Sequence, residues 1–370
     1  MFSKGMKMTK KRVPCILVVG LEHVLPKQAV QAEALAKRGI RTVYYARDIW
    51  NLTETTKKMF PIEFVKAPNN IILACFCYLW LLLKYRPKHV EIFFCMDWIP
   101  VYAILTFITR IPLVFICRGG ELLYWKQHRM STRIILSLLF KLSKIIICTE
   151  YFMEEMIRRY HIFDLKKFFF FHNRTKVYKD YTIERDEKII LFLNSFKAWR
   201  HPELIIQAVP LVIKRFPDAK FVLVGVTNIS PRTQVEERVR QLIKELEIED
   251  NVKIEPFTDN PWKYYEMSSI FVLPADIVFC NFSLIEAMER GIPPIVSNIG
   301  GSERIIEHRV NGLIVPQTPQ DIADAIILLL DDEQLRRRMG EAARATILQQ
   351  YDIDEGSKIL ENLYKEKIWR

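Results

Sequence analysis

The stretch Ser269–Pro316, SIFVLPADIVFCNFSLIEAMERGIPPIVSNIGGSERIIEHRVNGLIVP, constrains the fold more than any other part of the chain. Ile270 to Leu273 reads as a short buried strand and Ser283 to Arg290 as an amphipathic helix closed by Gly291. Pro294 to Ser297 starts a second strand. Strand, loop, helix and strand in so short a space make a βαβ unit, and hence part of a parallel sheet. In open sheets of that kind the loops at the carboxyl ends of the strands form the ligand crevice. Two such loops are legible here, Pro274 to Phe282 and Asn298 to Ser302.

The helix of this unit has two readings. The first-turn N–H groups of Ser283, Leu284 and Ile285 would attract a phosphate, and Glu286, one turn in, could accept from two vicinal ribose hydroxyls. Equally, Ser283 and Glu286 have the S-x-x-E spacing of a capping box and would satisfy each other's backbone. Gly300-Gly301 either lets backbone approach a ligand or merely turns the chain.

These residues resemble a known family. The run NFSLIEAMERGIPPIVSNIGGSERI is similar to the donor-site signature of family 4-type (glycosyl transferases group 1) GT-B glycosyltransferases, usually E-G-F-G-L-x-x-x-E-A-M-A-x-G-x-P-V-V. The resemblance extends through residues 189–225 and on to Asn311-Gly312-Leu313-Ile314-Val315-Pro316, about the C-terminal half of the chain. It implies an α/β chain with the GT-B fold: two Rossmann-like parallel-sheet domains facing a central cleft, with a C-terminal helix crossing back to the first domain. It also implies transfer of a sugar from a nucleotide-sugar, metal-independent and with retention, and no cofactor beyond the donor itself. On it Glu286 becomes the ribose-binding glutamate, with Asn281, Phe282, Ser283 and Leu284 around the helix start.

Taken in order, 370 residues exceed a usual single core, and an apolar half of the composition excludes a disordered chain. We expect residues 1–180 as an acceptor-side domain, 181–350 as the nucleotide-sugar domain and 351–370 as the helix returning to the first. The net charge of +11 is unevenly spread: residues 1–180 carry 30 Lys and Arg against 13 Asp and Glu, residues 181–370 carry 24 against 30. The excess on the first half suits an anionic surface or substrate met by that half alone. No helix-turn-helix, zinc-finger or RNA-recognition pattern supports nucleic acid.

The seven cysteines lie in or beside apolar runs without zinc-like spacing, which reads as buried thiols in a reducing compartment. The basic start followed by Val13–Leu21 resembles a signal peptide superficially. Glu22 and His23 follow at once, however, so a strand and loop is the better reading. Ala67 to Leu83, the longest uncharged run, is too short for a membrane span. Localisation is therefore expected to be cytoplasmic, peripheral on the membrane's cytoplasmic face if residues 123–147 serve as a basic amphipathic surface. That segment combines Tyr124 and Trp125 with Lys126, Arg129, Arg133, Lys141 and Lys144.

The N-terminal half alternates expected strands (Val13–Val19, Thr42–Ala46, Val90–Cys95, Leu113–Cys117, Ile145–Cys148) with helices, the pattern of a Rossmann-like sheet. Gly20 follows the first strand, but no G-x-G-x-x-G accompanies it. Arg118-Gly119-Gly120-Glu121 ends a strand where the family contacts the transferred sugar, so Arg118 or Glu121 is a candidate there; solvated turn charges are the alternative. After a linker over residues 173–186, the strand Lys188–Leu193 leads into Asn194 to Pro202. The family has G-R-x-x-x-x-K-G there, its Arg and Lys clamping the donor diphosphate. Arg200 takes the Lys place, Ser195 the Arg place, and Lys197 lies close enough to restore the second charge. Gly225 ends the next strand. Phe257 follows Pro256, where the family places the base, and either packs on it or fills the core. The base itself (uracil, guanine or adenine) is left open.

Two departures stand out, one of them the family's G-x-D cue just before the linker, altered here to His172-Asn173-Arg174. The family's glutamates are paired eight positions apart, which puts the partner of Glu286 at Val278, with Asp276 near but out of register. Different sugar contacts, a shifted register, or a catalytically silent scaffold that binds a sugar or a membrane all follow from it. A nucleotide-sugar epimerase is the remaining enzyme alternative. Asp352-Ile353-Asp354 spells D-x-D, but its place before a helix reads as an N-cap and not as a metal site.

Overall fold

The computed structural model describes residues 13–21, 23–24, 26–49, 63–94, 98–118, 121, 126–152, 155, 158, 165–178, 188–226, 233–258 and 260–369. The chain divides into two compact units. One comprises Met1–Cys148, Glu155–Phe169 and Ser357–Arg370, the other Thr149–Glu154 and Phe170–Gly356.

In the first unit the described elements are β1 (Cys15–Val19), β2 (His23–Val24), α1 (Pro26–Lys37), β3 (Arg41–Ala46), β4 (Asp48–Ile49), β5 (Glu63–Lys66), α2 (Ile71–Tyr85), β6 (His89–Phe93), α3 (Ile99–Ile108), β7 (Leu113–Cys117), α4 (Met130–Leu142), β8 (Ile145–Cys148) and β9 (Phe168–Phe170). Seven strands form one sheet in the order β5-β3-β1-β6-β7-β8-β9, with β2 and β4 paired apart. Every residue of β1, β6, β7 and β8 is buried, as a parallel sheet covered on both faces requires. The chain reverses direction across the sheet between β1 and β6. There Gly20, in the left-handed region, lies so close to β6 that a Cβ would stand 2.1 Å from the Phe93 carbonyl oxygen. β5 and β9 were not expected from the sequence: EFVK is short with charged ends, and FFF is three residues at a sheet edge. A helix expected from the sequence over Tyr151–Tyr160, following the strand Ile145–Cys148, lies largely outside the described residues.

The second unit contains β10 (Ile189–Leu193), α5 (Pro202–Ile213), β11 (Lys220–Val226), α6 (Gln234–Glu245), β12 (Val252–Pro256), α7 (Trp262–Met267), β13 (Ile270–Leu273), α8 (Phe282–Glu289), β14 (Pro294–Ser297), β15 (Leu313–Val315), α9 (Pro319–Asp331) and α10 (Glu333–Gln350). Its six strands are all parallel, ordered β12-β11-β10-β13-β14-β15. Both sheets thus have the doubly-wound order in which the first strand sits centrally and the chain then crosses to its other side. In the second unit that switch falls between β10 and β13.

The last helix, α11 (Ile353–Lys367), starts in the second unit, where Asp352 accepts from the Asp354 N–H at 3.0 Å. This pair of aspartates therefore caps a helix. The helix ends in the first unit. Tyr364 donates to the buried Glu91 carboxylate (2.5 Å), Trp369 Nε1 to His89 Nδ1 (3.0 Å), and Arg38 pairs with Glu361 (2.5 Å). Among the described residues no helix is long and apolar enough to cross a membrane.

Candidate donor site

Three loops of the second unit, after β10, β13 and β14, leave the carboxyl edge of its sheet around the switch point. The first, after β10, is pinned at Asn194. Its N–H donates to the Val224 carbonyl (3.0 Å), and its side-chain oxygen accepts from the Ser195 N–H (3.0 Å). Its amide nitrogen donates to Asn281 Oδ1 and Ser283 Oγ, each at 3.3 Å. One asparagine thereby ties the β10 loop to the start of α8. Gly225 explains itself at the same place. A Cβ there would lie 2.0 Å from the Asn194 carbonyl oxygen, with φ at +132° and a bulge in the β11–β12 pairing. Its glycine is required by the close approach of two strands, whether or not a donor binds.

The second loop, after β13, carries Asp276 and Val278. It is sewn to the first by Asp276 N–H to the Trp199 carbonyl (3.0 Å) and by Arg200 Nη1 to the Ile277 carbonyl (2.9 Å). His201, left-handed at φ +49°, places Nε2 at 2.8 Å from Asp276 and Nδ1 at 3.2 Å from Glu203. Burial works against its protonation, but the bonds to Asp276 and Glu203 prevail and raise its pKa. Arg200 is partly buried. That burial lowers its pKa against the pull of Glu150 and Asp276, and its Nε has no hydrogen-bond partner within the protein. Lys197 is exposed, its ammonium 5.1 Å from the Trp199 ring centroid. The third loop closes on the second: Gly300 accepts from the N–H groups of Val278 and Phe279, both at 3.0 Å.

The helix start departs from the sequence expectation. α8 begins at Phe282, and Asn281 caps it by accepting from the Ser283 N–H (3.0 Å) and hydroxyl (2.6 Å), while its carbonyl accepts from the Ile285 N–H (3.1 Å). The Ser283–Glu286 capping box is therefore not formed, and the N–H groups of Ser283 and Ile285 are engaged within the protein. Asn281 outcompetes Ser283 because its carbonyl-type acceptor stands two residues ahead of the N–H it satisfies. Leu284 is buried in the core and offers a ligand only its backbone; Phe282 is partly buried against the same core. Phe257 does not fill the core: it is 40% exposed, with its N–H on the Val226 carbonyl at 2.8 Å.

Freed from the cap, Glu286 accepts from the hydroxyl of Tyr265 at 2.8 Å. Tyr265 is wholly buried on α7 and also reaches the Ser283 carbonyl at 3.4 Å. Burial raises the Glu286 carboxyl from 4.5 to about 7; the Tyr265 hydroxyl and Arg290 oppose this, and Glu289 adds to it. Sequence reasoning missed Tyr265, Asn194 and His201. The only available signal was their position: a tyrosine one helix before β13, and polar residues in a strand-end loop. Val278, by contrast, is fully buried.

Arg118 belongs to the first unit, at the end of β7. Its N–H donates to the Glu121 carboxylate at 3.1 Å, and its guanidinium lies 5.9 Å from the Phe93 ring centroid. Glu121 is itself buried, and burial pushes its carboxyl up despite the Arg118 charge, so it closes its own turn. Gly119, Gly120, Tyr124 and Trp125 lie outside the described residues. Among the described residues no group of three His, Cys, Asp or Glu side chains could hold a metal ion.

Two doubly-wound parallel sheets in one chain, with a last helix returning to the first unit, define the GT-B fold. Solved structures agree. Anabaena HepE in complex with UDP and glucose superposes with a TM-score of 0.77 at 15% identity, covering 95% of this chain and 99% of that one. Sucrose-phosphate synthase from Thermosynechococcus elongatus gives 0.73 at 17% identity, covering 96% and 99%. Within that fold, residues 173–346 match the family described as glycosyl transferases group 1. Among curated relatives, N-acetyl-alpha-D-glucosaminyl L-malate synthase of Bacillus anthracis is 31% identical over 201 residues, 54% of this chain and 51% of that protein. The chain spans about half the length of the curated relatives it matches.

Proposed function

We propose that the protein is a glycosyltransferase that takes its sugar from a nucleoside diphosphate donor. The observation that carries the reading is the meeting, at one switch point, of the Glu286 carboxylate, the start of α8 and the Lys197–Arg200 loop, joined through Asn194 and Arg200. Glu286 accepts from the ribose hydroxyls, held in place by Tyr265. Lys197 and Arg200 neutralise the diphosphate as it leaves, which is the main electrostatic demand of the reaction. The bond from the anomeric carbon to the phosphate oxygen breaks, and its electron pair leaves with the nucleoside diphosphate. The acceptor oxygen bonds to that carbon and its proton passes to the departing phosphate. This route retains configuration and is metal-independent. Phe257, partly exposed beyond β12, stands at the base end. Uridine is the first base to try, because HepE was captured with UDP and glucose. The basic first half suits an acceptor that is phosphorylated or lipid-linked.

The test is a thermal-shift and calorimetric screen of UDP, GDP, ADP and their sugars against wild type and Arg200→Ala. A ligand at about a hundred times its dissociation constant stabilises by about 2.7 kcal/mol. One nucleotide should stabilise wild type and fail to stabilise Arg200→Ala. No shift with any nucleotide at millimolar concentration would remove the donor-site reading. The buried Val278 favours one second reading, a silent scaffold that binds the donor without consuming it. Binding with neither transfer nor hydrolysis would select it. Isomerised sugar released without any acceptor would select an epimerase instead.

A further inference from the structure

The most unusual surface of the molecule is a bare apolar face on α2, in the first unit. The helix IILACFCYLWLLLKY carries no charge before Lys84. Asn70 caps it, accepting from the Ile72 and Leu73 N–H groups at 2.9 and 3.2 Å. Its buried side is ordinary: Ala74, Tyr78, Leu81 and Leu82 pack inward, and Tyr78 bonds Thr106 of α3. The opposite side is exposed among the described residues. Ile72, Leu73, Phe76, Trp80 and Leu83 are exposed, from 50% for Trp80 to 75% for Leu83. At about 100° per residue these five fall within an arc of about 100°. Such an arc is what a helix normally turns into a core. The neighbouring α3 repeats the arrangement with Ile104, Phe107 and Ile108 exposed. Together these eight side chains present on the order of 800 Å² of apolar surface, well beyond the few hundred Å² that monomers commonly expose in one patch.

The charge around this face identifies its occupant. From Glu63 to Gly120 the sequence holds Lys66, Lys84, Arg86, Lys88, Arg110 and Arg118 against three acids, Glu63, Glu91 and Asp97; Glu63 is paired with Arg41 and also acts on Lys84. Glu91 is buried under Tyr364 and contributes nothing outside; Asp97 lies outside the described residues. Lys84, Arg86 and Arg110 follow the ends of the two exposed faces and are themselves exposed. Lys84 lies over both the Trp80 ring (4.4 Å) and the Tyr85 ring (4.9 Å), so the stem of the lysine runs along the apolar face to its rim. A band of large apolar side chains whose one hydrogen-bonding group is the Trp80 indole, rimmed by the exposed cations Lys84, Arg86 and Arg110, fits hydrocarbon beneath anionic headgroups. At about one hydrogen bond per 100–200 Å² a protein partner would be expected to find several polar groups here, and the described side chains of the band offer only the Trp80 indole.

We infer that the α2–α3 face is a docking surface for an anionic lipid bilayer. It lies flat on the membrane and does not cross it. The surface differs from the basic segment over residues 123–147: in that segment α4 turns Leu136, Leu139 and Phe140 inward and bares chiefly Met130 and Ile134. The inference is independent of the donor-site reading.

The full-length chain should be sedimented with vesicles of phosphatidylcholine alone and of phosphatidylcholine with phosphatidylglycerol. Wild type should pellet with the anionic vesicles, stay in the supernatant with neutral ones, and be released by salt. Phe76→Asp with Leu83→Asp should abolish pelleting while leaving the melting temperature and circular dichroism unchanged, since both sites are exposed. Lys84→Gln with Arg86→Gln and Arg110→Gln should weaken partition about 100-fold, at roughly fivefold per basic charge. Equal pelleting of wild type and the Phe76/Leu83 double variant would overturn the inference, as would failure of wild type to pellet. So would a wild-type dimer in light scattering, without vesicles, that the same double variant dissociates, because a second copy would then own the face.

Discussion

Glu286 should make the protein less stable at the pH where it is useful. Its carboxyl ordinarily titrates near 4.5, and burial raises it to about 7 in the folded state. Between those values the folded protein holds a proton that the unfolded chain has released. Stability is therefore complete below about pH 4.5 and falls as pH rises toward 7. Each pH unit in that window costs about 1.4 kcal/mol, so roughly 3 kcal/mol is lost by pH 7 to 8. Glu286→Gln removes the ionisation yet keeps an oxygen for the Tyr265 hydroxyl, now at 2.8 Å from the carboxylate. Denaturant unfolding of both proteins from pH 4.5 to 8.5 should show curves that coincide at the acid end. At pH 8 the variant should be about 3 kcal/mol more stable. The same substitution should weaken nucleotide binding, because an ionised carboxylate accepts more strongly from ribose hydroxyls than an amide does, by about 1–2 kcal/mol. A stability difference that stays flat across this range would refute the reasoning, since it would mean that Glu286 is no harder to ionise in the fold than out of it.

His201 bridges Asp276 and Glu203, so its imidazole should titrate above the ordinary 6.5 by NMR, and Asp276→Asn should bring the titration down. The stability it gives is present below 6.5 and is lost as pH rises through the raised value; a titration below 6.5 in wild type would show that burial outweighs the two carboxylates. Gly225→Ala should cost at least about 3 kcal/mol in unfolding free energy, because its Cβ would meet the Asn194 carbonyl oxygen at 2.0 Å. Gly39→Ala is the control: at φ +73° but with nothing within 4 Å, it should cost only about 1–2 kcal/mol. Equal losses would mean that conformation, and not the Asn194 contact, fixes Gly225.

Much of the framework was legible because buried parallel strands announce themselves. LVFIC, IIIC, IFVL and PIVS read as β7, β8, β13 and β14 with the bounds the structure gives them. Strands without that apolar density, β5 with its terminal Glu and Lys above all, carried no such signal. At the candidate site, Glu286 and Arg200 could be singled out from the resemblance, but their hydrogen-bond partners could not be read. S-x-x-E is a local pattern, and Asn281 and Tyr265 overrode it from two residues ahead and from a different helix. Competition of that kind depends on which acceptor the tertiary structure brings nearest, and spacing along the chain does not encode it. The exposed face of α2 was hidden for a related reason. Thirteen uncharged residues look the same whether they are covered or bare, and only packing tells the two apart.

Val278 is a departure from the donor-site signature that the chain resembles, and the structure narrows what the departure means. The loop from Pro274 to Asn281 is held by backbone: Val278 and Phe279 both donate to Gly300, and Gly300 sits where a Cβ would be 2.3 Å from the Asp276 carbonyl oxygen. A loop so fixed has little freedom to slide by two residues. Asp276 therefore stays two residues out of register with the missing glutamate, its Oδ1 held by His201 at 2.8 Å and Gln317 at 3.2 Å. A glutamate built at the fully buried Val278 would have to place its charge in the core, at a cost of several kcal/mol. The loop keeps its course by packing Val278 inward, and the His201–Asp276 pair then bridges the β10 and β13 loops through side chains. On the proposed reading, the nucleotide end of the site keeps Glu286 and Arg200 while the sugar end is rebuilt. Binding alone therefore cannot separate a transferase with new sugar contacts from a silent scaffold. The decisive quantity is turnover of a nucleotide-sugar already known to bind.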